Sequence, residues 1–153
     1  MKILVLSDTH LGSPTEAFLA FFEQECLRAD ALIHCGDLTG YPLLELMETH
    51  PRFYGVAGNT DAWQVADELP PTRIVELEGV TVGLAHGHGF SSPIGHKLHV
   101  AFEDVDMVCY GHTHVFEHCQ VGSKHILNPG SYSHPRRGSA AGYALVQVAD
   151  GAI

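Results

Sequence analysis

Ile3-Leu4-Val5-Leu6-Ser7-Asp8-Thr9-His10 is a short apolar run that breaks off into polar side chains. Four consecutive apolar residues are typical of a strand covered on both faces, as in a parallel sheet. The carboxyl end of such a strand delivers Asp8 and His10 at two-residue spacing, on one side of an extended chain.

The segments that follow repeat the arrangement. Ser13-Pro14-Thr15-Glu16 reads as an N-cap serine, a proline at the first helical position and an acid three residues after the serine. Phe18, Leu19, Phe22 and Cys26 continue it at helical spacing. A second strand, Ala31 to Cys35, ends in Gly36-Asp37-Leu38, and a second helix is expected from about Tyr41-Pro42 to Thr49. A third strand, Phe53 to Ala57, ends in Gly58-Asn59-Thr60-Asp61. Three strand-and-helix units with polar strand ends describe an α/β layout with a parallel sheet, in which sites lie outside the carboxyl ends of the strands.

The chain after Asp61 is richer in strands. Pro70-Pro71 interrupts any helix, and Arg73 to Leu77 with Val80 to Ala85 flank Glu78-Gly79 as a hairpin that ends in His86-Gly87-His88-Gly89. Ser92-Pro93 opens a helix to about Phe102, and a strand from Asp106 to Tyr110 leads into Gly111-His112-Thr113-His114. Val115 to Val121, Lys124 to Leu127 and Tyr143 to Val148 are further strands, joined through Gly122-Ser123 and Asn128-Pro129-Gly130-Ser131. Asp150-Gly151 turns toward a partner strand with two residues remaining, so the last strand is expected to be unpaired or the end trimmed.

The 153 residues suit one domain, spanning residues 1–153, and 45% hydrophobic against 17% charged residues leaves little unpacked chain. A formal charge of −10 argues against a groove that tracks nucleic-acid phosphates. The opening apolar run is too short for a signal peptide and no run approaches a membrane span, so the expected compartment is the cytoplasm. Cys26, Cys35, Cys109 and Cys119 lack CxxC spacing and read as buried free thiols.

Asp8, His10, Asp37, Asn59, His86, His112 and His114 each follow an apolar run. Seven ligand-type side chains at strand ends are hard to explain as independent turn residues. Imidazole nitrogens with carboxylate and amide oxygens suit a borderline transition metal better than calcium. Seven exceed the roughly four to six ligands of one ion, so a carboxylate shared by two ions accounts for the surplus. Two divalent ions supply about +4 against two anionic ligands, a balance that favours an ionised water as nucleophile and holds an anionic phosphoryl group.

The order D-x-H, G-D, G-N, a lone histidine, then G-H-x-H resembles the calcineurin-like metallophosphoesterase superfamily over Asp8 to His114. With its short length and its GNTD, HGHG and NPGS segments, the chain is most similar to the small prokaryotic phosphodiesterases of that superfamily. The resemblance implies two sheets flanked by helices, an α-β-β-α sandwich. It also implies a first metal on Asp8, His10 and His114, a second on Asn59, His86 and His112, and Asp37 as the bridge. The ions would be manganese by preference, with nickel, iron or zinc also admitted. Asp37 and Asn59 would serve the reaction as well as the metals, and Asn128 and Ser131 would support the site. The implied reaction is in-line attack of a metal-bridging hydroxide on a small phosphate ester, most simply a diester.

Many relatives carry a histidine after the G-N pair, assigned to leaving-group protonation, where this chain has Thr60. A threonine hydroxyl is a poor acid at neutral pH, so that task passes to water or to His88, or goes unfilled. Arg136 and Arg137 read as a solvated basic loop in preference to a phosphate clamp, and the remaining histidines read as structural. The rival reading is a non-catalytic protein-binding scaffold on the same fold, as in a eukaryotic coat-complex subunit. That relative departs from the ligand pattern, whereas this chain retains all seven positions. A homo-oligomer is compatible with either reading.

Overall fold

In the computed structural model, which describes residues 1–153, two sheets face each other with helices on both outer sides. The first sheet contains β1 (Lys2–Leu6), β2 (Ala31–His34), β3 (Phe53–Gly55) and β9 (Ala144–Gln147), in the order β3-β2-β1-β9. β1, β2 and β3 are parallel, and β9 joins β1 antiparallel. The second sheet contains β4 (Thr72–Leu77), β5 (Val80–Ala85), β6 (Met107–Cys109), β7 (Phe116–Val121) and β8 (Lys124–Pro129), in the order β4-β5-β6-β8-β7. No helix is long and apolar enough to cross a membrane.

The alternation of side chains along β1 builds the layers. Ile3 and Val5 join Ala31, Ile33, Val80, Val82, Leu84, Met107 and Cys109 in the core between the sheets. Leu4 and Leu6 face the other way, onto Phe18 and Phe22 of α1 (Glu16–Gln24) and Leu43, Leu44 and Met47 of α2 (Tyr41–Glu48). Both faces of β1 are therefore buried, which is why its sequence runs apolar without a break. α3 (Trp63–Glu68) adds Val65 to that outer layer, and α4 (Ile94–Ala101) covers the far side of the second sheet through Ile94 and Leu98. Truncating a fully buried residue of the inter-sheet core such as Ile33 to alanine should cost about 2–5 kcal/mol.

Several boundaries differ from the sequence reading. The cap of α1 is Thr15, whose hydroxyl accepts the Phe18 amide at 3.2 Å, so the Ser13 cap and the Pro14 first position are corrected. Ser and Thr both suit a cap; the residue three before a free helix amide takes the role, and that is Thr15. Cys26 lies in a short 3-10 turn, Cys26–Arg28, rather than in the helix. Asn128 and Pro129 belong to β8 instead of a joining turn. Cys119 is exposed because it sits on β7, an edge strand whose residues are mostly solvated, whereas Cys26, Cys35 and Cys109 are buried thiols as expected.

The hairpin turn Glu78-Gly79 has left-handed backbone at both residues, as a two-residue turn between right-twisted strands requires. Asp150-Gly151 repeats that geometry and closes on itself through an Ala149–Ala152 bridge. The last strand is thereby paired on one edge, with β1, and the turn after it returns to no further strand.

Candidate metal centre

The carboxyl ends of β1 and β2 in one sheet and of β5 and β6 in the other open onto the same place. Asp8 is fully buried there, and its two carboxylate oxygens are used differently. Oδ2 accepts the Ser7 hydroxyl at 2.6 Å and the His112 amide at 3.0 Å. Oδ1 accepts no hydrogen bond and lies 3.1 Å from His114 Nε2 and 3.8 Å from His10 Nε2. Asp37 repeats the division: Oδ1 accepts the Thr60 amide at 2.9 Å, while Oδ2 lies 3.3 Å from His86 Nε2 and 3.7 Å from His10 Nε2. In each carboxylate one oxygen is anchored and the other is presented.

The imidazoles are oriented by carbonyls. His86 Nδ1 donates to the Cys35 carbonyl at 2.8 Å, and His114 Nδ1 donates to the His134 carbonyl at 2.6 Å. A carbonyl only accepts, so in both rings the proton sits on Nδ1 and the Nε2 lone pair points into the site. His86 Nε2 is buried and makes no hydrogen bond. His10 Nε2 and His114 Nε2 approach to 3.2 Å, beside the unpaired Asp8 Oδ1. Lone pairs and carboxylate oxygens brought this close repel one another unless a cation or a proton sits among them.

Two clusters result. Asp8, His10 and His114 form one, and Asp8, Asp37 and His86 form the other; within each, the ligand-type atoms lie within 4.8 Å of one another. Orphaned buried acceptors and a nitrogen-plus-carboxylate donor set fit borderline divalent ions. His112 is half-buried, with its ring edge-on to His86 at a centroid distance of 5.2 Å. His88 is exposed, and its ring stands 5.5 Å from that of His86. Asn59 is exposed on the turn after β3.

Charge in the site is unevenly balanced. Burial raises the Asp8 carboxyl, outweighing the pull of His86, the Ser7 hydrogen bond and His114. Burial acts the same way on Asp37, yet the attraction of His86 and the Thr60 amide hold that carboxyl well below the usual range. His86 is raised despite its burial, by Asp37 and then Asp8. His10 and His112 are both lowered, chiefly by burial.

Holding these groups strains the backbone. Asp8, His10, Asp37, His112 and His114 all adopt left-handed φ between 46° and 69°, a region that side chains other than glycine avoid. Supporting contacts fix it. Ser131 Oγ donates to the Asp8 carbonyl and Ser133 Oγ to the Thr9 carbonyl, each at 2.7 Å. Asn128 Nδ2 donates to the Gly111 carbonyl at 2.9 Å. The Asp61 carboxylate accepts the amides of Asp37, Thr39 and Gly58, tying the ends of β2 and β3 together. Gly58 and Gly111 are required as glycines, since a Cβ would collide with Asp37 and with Ser7 and Asp8 respectively.

Of these supports, Asn128 and Ser131 were expected from the sequence. Ser7, Asp61 and Ser133 were missed, although Asp61 had a signal as the acid of Gly58-Asn59-Thr60-Asp61. His34, read as structural, is fully buried between Thr9 and the Gly36 amide.

Comparison with known proteins gives the same picture. A family model described as the calcineurin-like phosphoesterase superfamily domain matches residues 1–151. The probable metallophosphoesterase YsnB of Bacillus subtilis (strain 168) is 32% identical, covering 97% of this chain and 85% of that protein. Phosphodiesterase YfcE of Escherichia coli (strain K12) is 32% identical over 95% of this chain and 87% of its own. The solved structure of E. coli Yfce, described there as a phosphoesterase, superposes with a TM-score of 0.73 at 29% identity, covering 96% of this chain and 88% of that one. Vps29 of Entamoeba histolytica, solved in complex with zinc, superposes with a TM-score of 0.75 at 26% identity over 98% and 87% of the two chains. Fold, cluster and matches agree, and the chain belongs to the calcineurin-like phosphoesterase superfamily.

Proposed function

We propose that the protein is a metal-dependent phosphodiesterase that holds two divalent ions in one site of a single domain. The observation that carries this is the pair of clusters sharing Asp8, with buried acceptor atoms aimed inward and left without hydrogen bonds. Asp8, His10 and His114 would hold one ion and Asn59, His86 and His112 the other. The bridging role of Asp37 is supported by Oδ2, which lies 3.7 Å from a histidine of the first set and 3.3 Å from one of the second. The likeness to small prokaryotic phosphodiesterases supports manganese as the metal, with nickel, iron and zinc as substitutes. When bound, two such ions supply Lewis-acid polarisation of a phosphoryl oxygen and a water ionised near neutral pH.

The chain's own residues set the geometry. Ser7 and the His112 amide leave one Asp8 oxygen free, and the Cys35 and His134 carbonyls fix the tautomers of His86 and His114. His88, exposed with its ring 5.5 Å from that of His86, would contact the bound ester. Thr60, with its hydroxyl 3.4 Å from His10 Nδ1, orients that ring and supplies no acid. Without an internal acid, diesters with good leaving groups are the favoured substrates. Four unpaired cysteines are compatible with a reducing compartment such as the cytoplasm.

The test is hydrolysis of an aryl phosphodiester by protein dialysed against manganese. The wild type should turn it over, and Asp37→Asn should be slower by at least about 100-fold. Equal inertness of the two proteins, with manganese bound, would favour the scaffold reading.

A further inference from the structure

Most of the histidines outside the ligand set are accounted for within the fold. His34 and His50 are buried and hydrogen-bonded, and His96 with His99 on α4 and His118 with His125 on β7 and β8 stack on each other. His88 and His134 instead stand against ligand rings. His88 is 5.5 Å from His86, and His134 is 5.7 Å from His10 and edge-on to it, at 89°. The centre is thus flanked by one further imidazole on the side of each cluster.

His134 is tied to the frame of the centre by its main chain. Its amide donates to Ser131 Oγ at 2.8 Å, the hydroxyl that itself donates to the Asp8 carbonyl, and its carbonyl orients the His114 ring. The His134 ring is fixed as well. Ser133 Oγ lies 2.5 Å from His134 Nδ1, and its single hydrogen goes to the Thr9 carbonyl. An oxygen so committed can only accept, so the proton of the neutral ring sits on Nδ1 and is donated to Ser133. This relay ends on Thr9, between Asp8 and His10.

Nε2 of His134 is left as an acceptor. No group of the chain donates to it, and the residue is exposed. His86 and His114 are prepared in the same way, but their Nε2 atoms meet Asp37 and Asp8 inside the clusters, to which His134 does not belong. The His134 acceptor is therefore open to what binds beside the ions. The phosphoryl and ester oxygens of a phosphodiester only accept, so such an atom gains nothing from them and gains from a donor on the ester arm. An ammonium there is repelled by two divalent ions, which leaves a hydroxyl.

We propose that His134 is a substrate contact that sets specificity: its Nε2 accepts a hydrogen bond from a hydroxyl on an arm of the bound phosphodiester. Esters of polyols or sugars are then favoured over esters of plain alkyl groups. The inference rests on the phosphodiesterase reading of the centre.

The experiment is titration calorimetry of manganese-loaded protein with 2-hydroxyethyl phosphate and with propyl phosphate, which differ by a hydroxyl in place of a methyl. The wild type should bind the hydroxylated probe about fivefold more tightly. His134→Phe keeps a planar ring beside His10 without the acceptor, and should bring the ratio to about one. His134→Gln, whose amide oxygen accepts, should hold it above about twofold. Both variants keep the main chain that orients His114, so their manganese content should match that of the wild type. A wild-type ratio near one, a ratio unchanged in His134→Phe, an equal loss for both probes, or loss of manganese with the ring overturns the contact. Aryl diester turnover by the wild type is scored separately. Turnover with a flat ratio removes the contact and keeps the phosphodiesterase, and a held ratio without turnover does the reverse.

Discussion

The first sheet brings both carboxylates to the centre and the second brings three of the four imidazoles, and the two sets are secured by different means. Asp8 and Asp37 are held by hydroxyls and amides, from Ser7, His112 and Thr60. His86 and His114 are held by main-chain carbonyls, from Cys35 and His134. A carboxylate has oxygens to spare and needs donors to anchor one of them, whereas a neutral imidazole has one donor and one acceptor and needs its donor occupied. Neither sheet alone supplies a complete donor set, so the centre exists only where the strand ends of the two sheets meet. Asp8 is the residue through which the two clusters are joined.

The largest expected effect comes from breaking that junction. Asp8→Ala removes a ligand of the first ion and the buried carboxylate that both clusters share, so bound manganese should fall to about one ion per chain or less and aryl diester turnover should drop by more than about 100-fold. Metal analysis beside kinetics checks it; full occupancy with lost turnover would show that Asp8 serves the chemistry and not the metals.

A smaller effect separates the carboxylate side from the imidazole side. Ser131→Ala and Asp61→Ala release backbone that holds Asp8 and Asp37, and each should weaken metal binding by about 10- to 100-fold. Ser131→Thr should restore most of the loss, because its hydroxyl can again reach the Asp8 carbonyl. Calorimetric titration with manganese reads both; equal losses in the alanine and threonine variants would point to packing.

Acid should weaken the frame beneath the centre. His34 lies at the end of β2, fully buried, with its pKa lowered to about 3 by burial and by His86. Between pH 6.5 and about 3 the unfolded chain therefore takes a proton that the folded chain refuses, costing up to about 1.4 kcal/mol per pH unit. Above 6.5 both states are neutral and the loss vanishes. Asp8 and His86, whose values are raised, act in the opposite sense, so the prediction is made on a difference. The stability advantage of the metal-free wild type over His34→Gln should shrink as pH falls below 6.5. Denaturant midpoints that keep a constant gap would mean that folded His34 accepts a proton freely.

The smallest effect lies farthest from the centre. Thr15→Ala removes the cap of α1 and should cost about 1 kcal/mol, read as a lower melting temperature, while Ser13→Ala should cost much less.

These differences also explain which parts could be read from the sequence. β1 announced itself because both faces are covered and Ile3 to Leu6 run apolar without a break toward Asp8, and β2 and β5 carried the same mark interrupted only at His34 and at Thr81 and Gly83. α3 gave no signal, since only Val65 of its six residues is buried and no stripe can form. The order of the second sheet, with β6 between β5 and β8, depends on crossovers that local periodicity does not encode. Asp8, His10, His114, Asp37 and His86 were chosen by their position after strands, and the structure brings their side chains together. His112, chosen on the same grounds, stands edge-on to His86 outside both clusters, and Asn59 is exposed on the turn after β3. The carbonyls of Cys35 and His134 could not be read at all, because main-chain atoms carry no sequence mark. Left-handed backbone at five non-glycine residues was equally silent, for the fold imposes it against local preference.

The central claim is that the two clusters hold two ions in one site. The most direct measurement is the manganese-to-protein ratio of the wild type after saturating dialysis, by elemental analysis. The account predicts about two ions per chain, falling to about one in His10→Ala and in His86→Ala. A wild-type ratio of about one or less at saturation would contradict it.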